Sequence, residues 1–456
     1  MPQSWQETRP GRWERPQSWL EKANLLNRNV DKAPDRDNWA KTAVAKIEFD
    51  PSLGEPEEAL KIAWKQVRYN YPEVAAFPYN GTYMYRIGNP EQVSLWVAAT
   101  FIVERNTTVD HLFGHIPRNE QMMCYFLPDT SEILVRSPHY RLDARGAIFI
   151  LNYLIESLAN LNPVLTFGGC AENLSPSIDL SLSIPYTYTP KIEEAAAHRL
   201  AALEPQNPLL ELTPVVKSKL PGAARRHVLT FSKSETESLI KGAKSKGMDL
   251  TAITHASLIT AVTRLAPPDD VRSFMASYHC DLRSLVPKSS RTKVAPTTCT
   301  SVISTEVTVS PNTNTKNYYK QLAPIHSAGY KPFLESTACF YEKLIETGNK
   351  ASGSADGQAQ PRYGPLGVID EQLTKQIEGV VRVKEFWLGG ETLTRRMMVH
   401  SWVWEDQLVF SCCYNESFWE DSFVGSFLEE MKEALVEVVM RTPTSLSQRL
   451  KGLAMK

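Results

Sequence analysis

The sequence predicts an α/β protein built as two lobes. Strand-like runs rich in β-branched and aromatic residues alternate with helical stripes of apolar residues in both halves of the chain. A segment rich in Pro, Ser, Lys and Glu separates the halves. The length of 456 residues is sufficient for two hydrophobic cores. We therefore assign residues 1–185 to a first lobe, 186–225 to a connection and 226–456 to a second lobe.

The first lobe should begin with a helix, because Leu60, Ala63, Trp64 and Val67 share one helical face. Residues 91–104 are dense in β-branched and aromatic side chains, and this composition predicts a strand. Two more strands are expected around the turn at 128–131. A long helix should follow Gly146, with an apolar stripe formed by Ile148, Leu151, Leu154, Ile155 and Leu158.

The second lobe should open with a helix pair, because Ser232 and Glu235 have the spacing of a capping box. Strands are predicted within 271–284 and 300–309, followed by another helix. Residues 348–364 have low complexity and predict a surface loop. Two strands and a helix, which begins near Asp421, should end the lobe.

Net charge, cysteine spacing and the absence of known motifs argue against several functional classes. The formal net charge is -1 and no basic stripe occurs, so nucleic-acid binding is not expected. The polar N-terminus does not resemble a secretory signal, and no apolar run predicts a membrane span. Seven scattered cysteines without a CxxC pair predict reduced thiols in the cytoplasm. The sequence motifs of lipase-type hydrolases, NTPases and dinucleotide oxidoreductases are absent.

The segment "HYRLDARG" carries the strongest candidate for chemistry. His139 follows a predicted strand, and histidine can take up and return a proton near neutral pH. Asp143 could cap the next helix or pair with an arginine. The ordinary interpretation is a strand-end histidine followed by a helix cap. Spacing alone favours it, because HxxxD occurs often by chance.

The surrounding segments change that balance. "HYRLDARG", "YHCDLRSLVP" and the closing "VFSCCYNES" with its helix resemble, in this order, the HxxxD acyltransferase superfamily. That group includes chloramphenicol acetyltransferase, the plant BAHD acyltransferases and the condensation domains of peptide synthetases. "GGCAENLSPSID" and "PLGVIDEQL" are most similar to fungal acetyltransferases of the trichothecene 15-O-acetyltransferase kind. The resemblance spans about residues 40 to 440.

The resemblance implies two chloramphenicol-acetyltransferase-like lobes, each a mixed sheet backed by helices, with an active-site tunnel between them. It implies that His139 is the general base and that Asp143 forms a salt bridge with Arg283 to hold the His139 loop. Gly146 should allow close approach at the start of the helix. Acyl-CoA would be a co-substrate, with no bound cofactor and no metal. His111 and His115 could share a helix face for zinc, but no third ligand is evident.

The sequence departs from the family pattern at two places. The DFGWG segment of the plant enzymes is absent, and Pro138 replaces the first histidine of the tandem found in condensation domains. Both departures favour a stand-alone fungal O-acyltransferase. They leave the donor open between coenzyme A and the thiol of a carrier protein.

Four further residues are candidates for substrate binding. Thr298 and Thr300 lie in a Thr/Cys/Ser stretch that could stabilise an oxyanion, although a strand role is the more ordinary interpretation. Trp402 and Tyr414 could line the substrate channel, although core packing is an equal alternative for Trp402.

We expect transfer of an acyl group, most simply acetyl, to a hydroxyl of a small apolar secondary metabolite by a monomeric enzyme. Acceptor identity and regiochemistry are not legible in the sequence. One alternative is a condensing or releasing enzyme that uses a phosphopantetheine thioester on a carrier protein. The other is a non-catalytic relative that binds a small molecule.

Overall fold

A computed structural model of the protein describes residues 4–30, 33–347 and 359–440. The strands of these ranges are, in chain order, β1 (Gln6–Arg9), β2 (Arg12–Pro16), β3 (Lys41–Phe49), β4 (Phe77–Tyr79), β5 (Thr82–Arg86), β6 (Phe101–Val103), β7 (Met123–Leu127), β8 (Glu132–Ser137), β9 (Ala224–Thr230), β10 (Arg272–Asp281), β11 (Thr300–Val309), β12 (Arg362–Val368), β13 (Gln376–Ile377), β14 (Val381–Gly390), β15 (Met398–Trp404) and β16 (Gln407–Asn415). The α-helices are α1 (Trp19–Leu26), α2 (Pro56–Asn70), α3 (Pro90–Thr100), α4 (Val109–His115), α5 (Ala144–Ser157), α6 (Ile178–Ser181), α7 (Pro190–Ala201), α8 (Lys233–Ser245), α9 (Leu250–Leu265), α10 (Arg291–Val294), α11 (Thr315–Ala328), α12 (Thr337–Glu346) and α13 (Asp421–Met440).

The first lobe is organised around a six-stranded mixed sheet in the order β13-β14-β3-β8-β7-β6. Its neighbouring strands are antiparallel except β6 and β7, which are parallel. The amphipathic helices α2 and α5 cover it, and Trp64, Leu151 and Leu134 are fully buried in the shared core. The predicted stripes of α2 and α5 therefore face the core as expected.

The second lobe repeats this arrangement. Its six-stranded mixed sheet has the order β11-β10-β12-β15-β16-β9, with β10, β12 and β15 parallel to one another. Helices α8, α9, α11 and α13 form its helical layer, and Phe274, Phe410 and Phe427 are buried in its core. The predicted class, two α/β lobes with mixed sheets backed by helices, is confirmed.

Strands β13 and β14 join the two lobes. Their residues fall within the range 226–456 assigned to the second lobe, but β14 pairs with β3 along Val381 to Gly390 and belongs to the first sheet. The lobe limits at 185 and 225 remain a prediction, and residues 376–390 extend from the second part of the chain into the sheet of the first. Sequence order could not indicate this pairing, because it joins strands more than 300 residues apart.

Smaller elements close the space around the two lobes. A four-stranded antiparallel sheet has the order β1-β2-β5-β4. Helix α7, within the predicted connection, and helix α1 both contribute to an apolar cluster with α12. None of the helices in the described ranges is long and apolar enough to cross a membrane.

One predicted strand is wrong. Residues 91–104 form helix α3 and only the short strand β6. Asn89 accepts a hydrogen bond from the Gln92 amide, the Gln92 side chain accepts one from the Asn89 amide, and Pro90 occupies the first turn. This capping box outweighs the strand propensity of the β-branched residues. Of the predicted low-complexity loop, residues 348–358 lie outside the described ranges, and strand β12 begins at Arg362.

Candidate active site

His139 lies on the short connection between β8 and α5. Strand β8 is internal to its sheet, so its end is held in place by β3 and β7. The connection turns at Pro138, whose carbonyl accepts a hydrogen bond from the Arg141 amide at 3.1 Å. The buried Arg141 side chain also donates to the carbonyls of Glu73 and Val74, both at 2.8 Å. These bonds restrain the backbone that presents the imidazole.

The His139 ring is half-buried and has a defined tautomer. Its Nδ1 lies 3.3 Å from the Leu142 carbonyl oxygen. Because a carbonyl can only accept, Nδ1 carries the hydrogen and Nε2 keeps a free lone pair. Burial, and then the positive charge of Lys41, lower the pKa of His139 below its usual value. The ring is therefore neutral at physiological pH, which is the state required of a base.

Asp143 is buried and bonded through both carboxylate oxygens. Oδ1 accepts from the Gly146 amide at 2.8 Å and from Arg283 Nη2 at 2.9 Å. Oδ2 accepts from Arg283 Nη1 at 3.0 Å, the Cys299 amide at 2.7 Å and the Thr300 hydroxyl at 2.9 Å. Burial alone would raise the pKa of Asp143, but Arg283 and these bonds hold it well below its usual range. The predicted ion pair is present, and Asp143 also caps α5.

Arg283 connects this carboxylate to the second lobe. It lies in a short 3-10 helix after β10 and donates to the carbonyls of Ala295 at 2.8 Å and Thr297 at 2.6 Å. It also pairs with Asp281 at 3.0 Å. The Asp143–Arg283 pair thus joins the His139 loop to the neighbouring lobe and does not face the imidazole.

Gly146 is required by close packing at this junction. A Cβ atom at that position would lie 2.5 Å from Leu142 Cδ1 and 3.2 Å from Arg283 Nη2. Only glycine leaves room for both neighbours without displacing the loop that carries His139.

A cavity of about 850 Å³ lies between the lobes and is lined by His139, Asp143 and Thr300. The inward faces of β10, β11, β12 and β15 provide one side of it, including Met275, Ser277, Thr300, Val302, Gly364 and Met398. Helices α1, α7 and α12 contribute an apolar side, formed by Leu20, Ala23, Leu200, Phe340 and Leu344. The volume suits a small-molecule site.

Several basic groups that sequence analysis did not select also line this cavity. They are Lys41, Arg362, Arg396, His279 and His400. Burial, and then the charge of Arg362, lower the pKa of His279 to about 4. Burial likewise lowers the pKa of His400. His279 lies within the quoted segment "YHCDLRSLVP" but was not selected there. Lys41, Arg362 and His400 are single basic residues within strands, and Arg396 lies just before β15, so no short motif marks them.

The structure does not bring all the predicted substrate residues to the cavity. The Thr298 hydroxyl is buried and accepts a hydrogen bond from Asn24 at 3.2 Å. The Thr300 hydroxyl and the Cys299 amide both donate to Asp143, so the predicted oxyanion stabilisers are already engaged.

Trp402 and Tyr414 are buried residues that do not line the cavity at His139, although Tyr414 borders a separate pocket beside Asp421. Trp402 lies on the same face of β15 as the cavity residues Met398 and His400. It follows His400 by two residues, and at that position its ring packs against Phe386 in the core, with 5.9 Å between the ring centroids. Tyr414 lies in the second-lobe core, and its hydroxyl donates to Asp421 at 2.8 Å. Both predictions of channel-lining roles are corrected.

Comparison with known proteins agrees with this architecture. No family model matches the sequence. The chain is 25% identical to "O-acetyltransferase pigM" of Monascus ruber over 95% of its own length and 86% of that protein. It is also 25% identical to "Acetyltransferase pigO" of the same organism over 95% and 97% of the two chains.

Two solved structures show the same fold at low sequence identity. The trichothecene 15-O-acetyltransferase TRI3 from Fusarium sporotrichioides superposes with a TM-score of 0.78 at 14% identity, covering 95% of this chain and 97% of that one. The condensation domain of the Monacolin K polyketide synthase MokA superposes with a TM-score of 0.64 at 10% identity, covering 94% and 98%. The predicted superfamily resemblance is confirmed at the level of the fold.

Proposed function

We propose that this chain, which has the two-lobed fold of the chloramphenicol acetyltransferase and condensation-domain superfamily, is an O-acyltransferase. It would move an acyl group, in the simplest case acetyl, from acyl-CoA to a hydroxyl of a small secondary metabolite. The observation that carries the proposal is the neutral His139 imidazole, held through Nδ1 on a loop that lines the cavity between the lobes. The acetyltransferase relatives support the same reaction class.

The proposed reaction needs one base and no covalent intermediate. Nε2 of His139 accepts the hydroxyl proton as the acceptor oxygen forms a bond with the thioester carbonyl carbon. The tetrahedral intermediate then loses its C–S bond, and the imidazolium returns the proton to the leaving thiolate. The products are an ester and a free thiol, and the imidazole is neutral again. Holding both substrates in one cavity supplies the proximity that the reaction requires.

Asp143 and Arg283 act as positioning residues in this proposal. Both oxygens of the Asp143 carboxylate accept hydrogen bonds from the Gly146 amide, the Arg283 guanidinium, the Cys299 amide and the Thr300 hydroxyl. Asp143 therefore does not orient the imidazole as in a Ser-His-Asp triad. The Leu142 carbonyl has that task, and the ion pair holds the loop that carries it.

A product assay tests the reaction type. The purified chain is incubated with acetyl-CoA or longer acyl-CoAs and a panel of small alcohols, each paired with the corresponding amine. We expect free thiol and ester in a one-to-one ratio, with alcohols preferred over amines. Absence of thiol release with every donor, or thiol release with only hydrolysed acyl group, would refute the proposal.

The donor is tested separately. The same acetyl group is offered on coenzyme A and on the phosphopantetheine arm of a carrier protein. We expect full turnover with acetyl-CoA alone. Turnover that requires the carrier would favour the condensing or releasing alternative. A space between the lobes filled by side chains would have favoured the non-catalytic alternative, and the cavity that reaches His139 gives it no such support.

A further inference from the structure

The charges around the cavity are compensated unequally. Asp143 pairs with Arg283, and Asp281 pairs with Arg283 at 3.0 Å and with Arg145 at 3.5 Å. Glu204, the remaining carboxylate among the lining residues, is exposed. The lining carboxylates are thus either used by other arginines or turned toward solvent.

Lys41 and Arg362 lack such compensation; we call them the cation pair. Within the described ranges no carboxylate lies at ion-pair distance from either side chain. Lys41 is 3% exposed, and burial lowers its pKa to about 8. Burial, and then the positive charge of Arg396, lower the pKa of Arg362. Two desolvated cations without counter-ions oppose folding unless something else balances them.

A single aromatic ring brings the cation pair together. Lys41 Nζ lies 5.8 Å and Arg362 Cζ lies 5.6 Å from the centroid of the Trp39 ring. Trp39 has a backbone φ of 66°, a left-handed conformation that costs energy for a bulky residue. Trp39 and Lys41 come from one stretch at the start of β3 and Arg362 from the start of β12, and together they form one positively charged corner of the cavity.

This corner is close to the His139 loop. Lys41 pairs in the sheet with Ser137, two residues before His139. Arg362 pairs with Met398 on the strand that also carries His400 into the cavity. An acceptor hydroxyl and a thioester must both reach His139. The phosphates of coenzyme A are separated from the thioester by the whole pantetheine arm, so an anion in this corner more naturally belongs to the acceptor.

We infer that the cation pair binds a carboxylate of the acceptor, which makes the acceptor a hydroxy acid with an apolar body. This inference rests on the proposed function. Arg362 would supply two parallel N–H donors to the carboxylate and Lys41 a second positive charge. The apolar side formed by Leu20, Leu200, Phe340 and Leu344 would contact the hydrocarbon part.

The test compares acids with their neutral esters. Mandelate and ricinoleate, each with its methyl ester, are titrated calorimetrically into the wild-type protein and then assayed with acetyl-CoA. We expect each acid to bind at least about tenfold more tightly than its ester, because the bonds to the carboxylate are charge-assisted. Arg362→Gln should abolish this preference and leave the KM for acetyl-CoA unchanged. Arg362→Lys should retain part of it.

Arg382 is exposed on β14 and provides the matched control. Arg382→Gln should preserve the preference for acids. Equal affinity for acids and esters in the wild-type protein would overturn the inference. So would an Arg362→Gln protein with an unchanged acid-to-ester ratio and a raised KM for acetyl-CoA, because the charge would then serve the donor phosphates.

The calorimetric arm separates this inference from the proposed function. Preferential binding of acids without thiol release from any donor would support the anion site and refute the acyltransferase proposal. Thiol release with neutral alcohols and no preference for acids would support the acyltransferase proposal and refute the anion site.

Discussion

The Asp143–Arg283 pair and the cation pair of Lys41 and Arg362 belong to one cavity but differ in their surroundings. Asp143 receives five hydrogen bonds, two of them from the bidentate guanidinium of Arg283. Lys41 and Arg362 both lie over the ring of Trp39, and no carboxylate of the described ranges lies at ion-pair distance from either side chain. The first pair is complete within the chain and stabilises the fold. The second pair lacks a counter-ion within the described ranges, as expected of cations that bind an anionic ligand.

Breaking the compensated pair should have the largest effect on stability. Asp143→Ala leaves the buried Arg283 unpaired and removes the cap of α5, so the free energy of unfolding should fall by about 3–5 kcal/mol. Denaturant unfolding measures this change. Asp143→Asn is the matched variant, because its amide oxygen can still cap the helix, and it should lose less. A loss below about 1 kcal/mol for Asp143→Ala would show that the pair does not hold the loop.

Gly146→Ala tests the same junction through packing alone. The added methyl would overlap Leu142 and crowd Arg283, so we expect a loss of about 1–3 kcal/mol in the free energy of unfolding. Turnover should also fall, because the displaced segment carries His139. Gly168→Ala is the control, because a Cβ at position 168 would meet no atom within 4 Å. Gly247 is unsuitable for this purpose because its φ is positive. An unchanged stability of Gly146→Ala would contradict the predicted close contact.

Removing a member of the cation pair should have the smallest effect on stability. Lys41→Met removes a desolvated charge without breaking an ion pair in the described ranges, so the free energy of unfolding should stay level or rise. Lys46→Met, on the same strand but with a half-exposed side chain, is the control. A loss comparable to that of Asp143→Ala would mean that Lys41 has an internal counter-ion and would end the contrast between the two regions.

Lys41→Met should also change the pH dependence of catalysis. The charge of Lys41 lowers the pKa of His139, so its removal should raise that pKa. A base with a raised pKa is protonated at higher pH, and the acid limb of kcat/KM should move upward. In the wild-type protein this limb should lie below pH 6.5, the ordinary value for histidine. A wild-type limb above pH 7, or an unmoved limb in the variant, would contradict this electrostatic coupling.

The sequence indicated the region of His139 and Asp143 but not the cation pair. Spacing alone favoured an ordinary strand end at His139, and the resemblance of several segments to the HxxxD superfamily was needed to identify the region. His139, Asp143 and Gly146 lie within one strand end and helix start, where capping and spacing are legible. Lys41 and Arg362 meet only because strands distant in sequence join at the lobe junction. Nothing in either local segment distinguishes a buried ligand-facing cation from a solvated one.

The wrong predictions have equally specific causes. For Trp402, the sequence could not show that its ring packs against Phe386 of the distant strand β14 and does not line the cavity. For α3 the capping box at Asn89 outweighed the strand propensity of the residues that follow. The lobes themselves were predictable because their helical stripes and strand runs extend over many residues.

The most direct test of the account is the turnover of His139→Ala. With acetyl-CoA and a competent acceptor, kcat/KM should fall by about 10²–10⁴-fold, the usual loss for an acid/base group, while the thermal unfolding curve stays that of a folded protein. His111→Ala, an exposed histidine on α4, should keep wild-type activity. A His139→Ala protein that keeps more than about a tenth of the activity would contradict the assignment of His139 as the base.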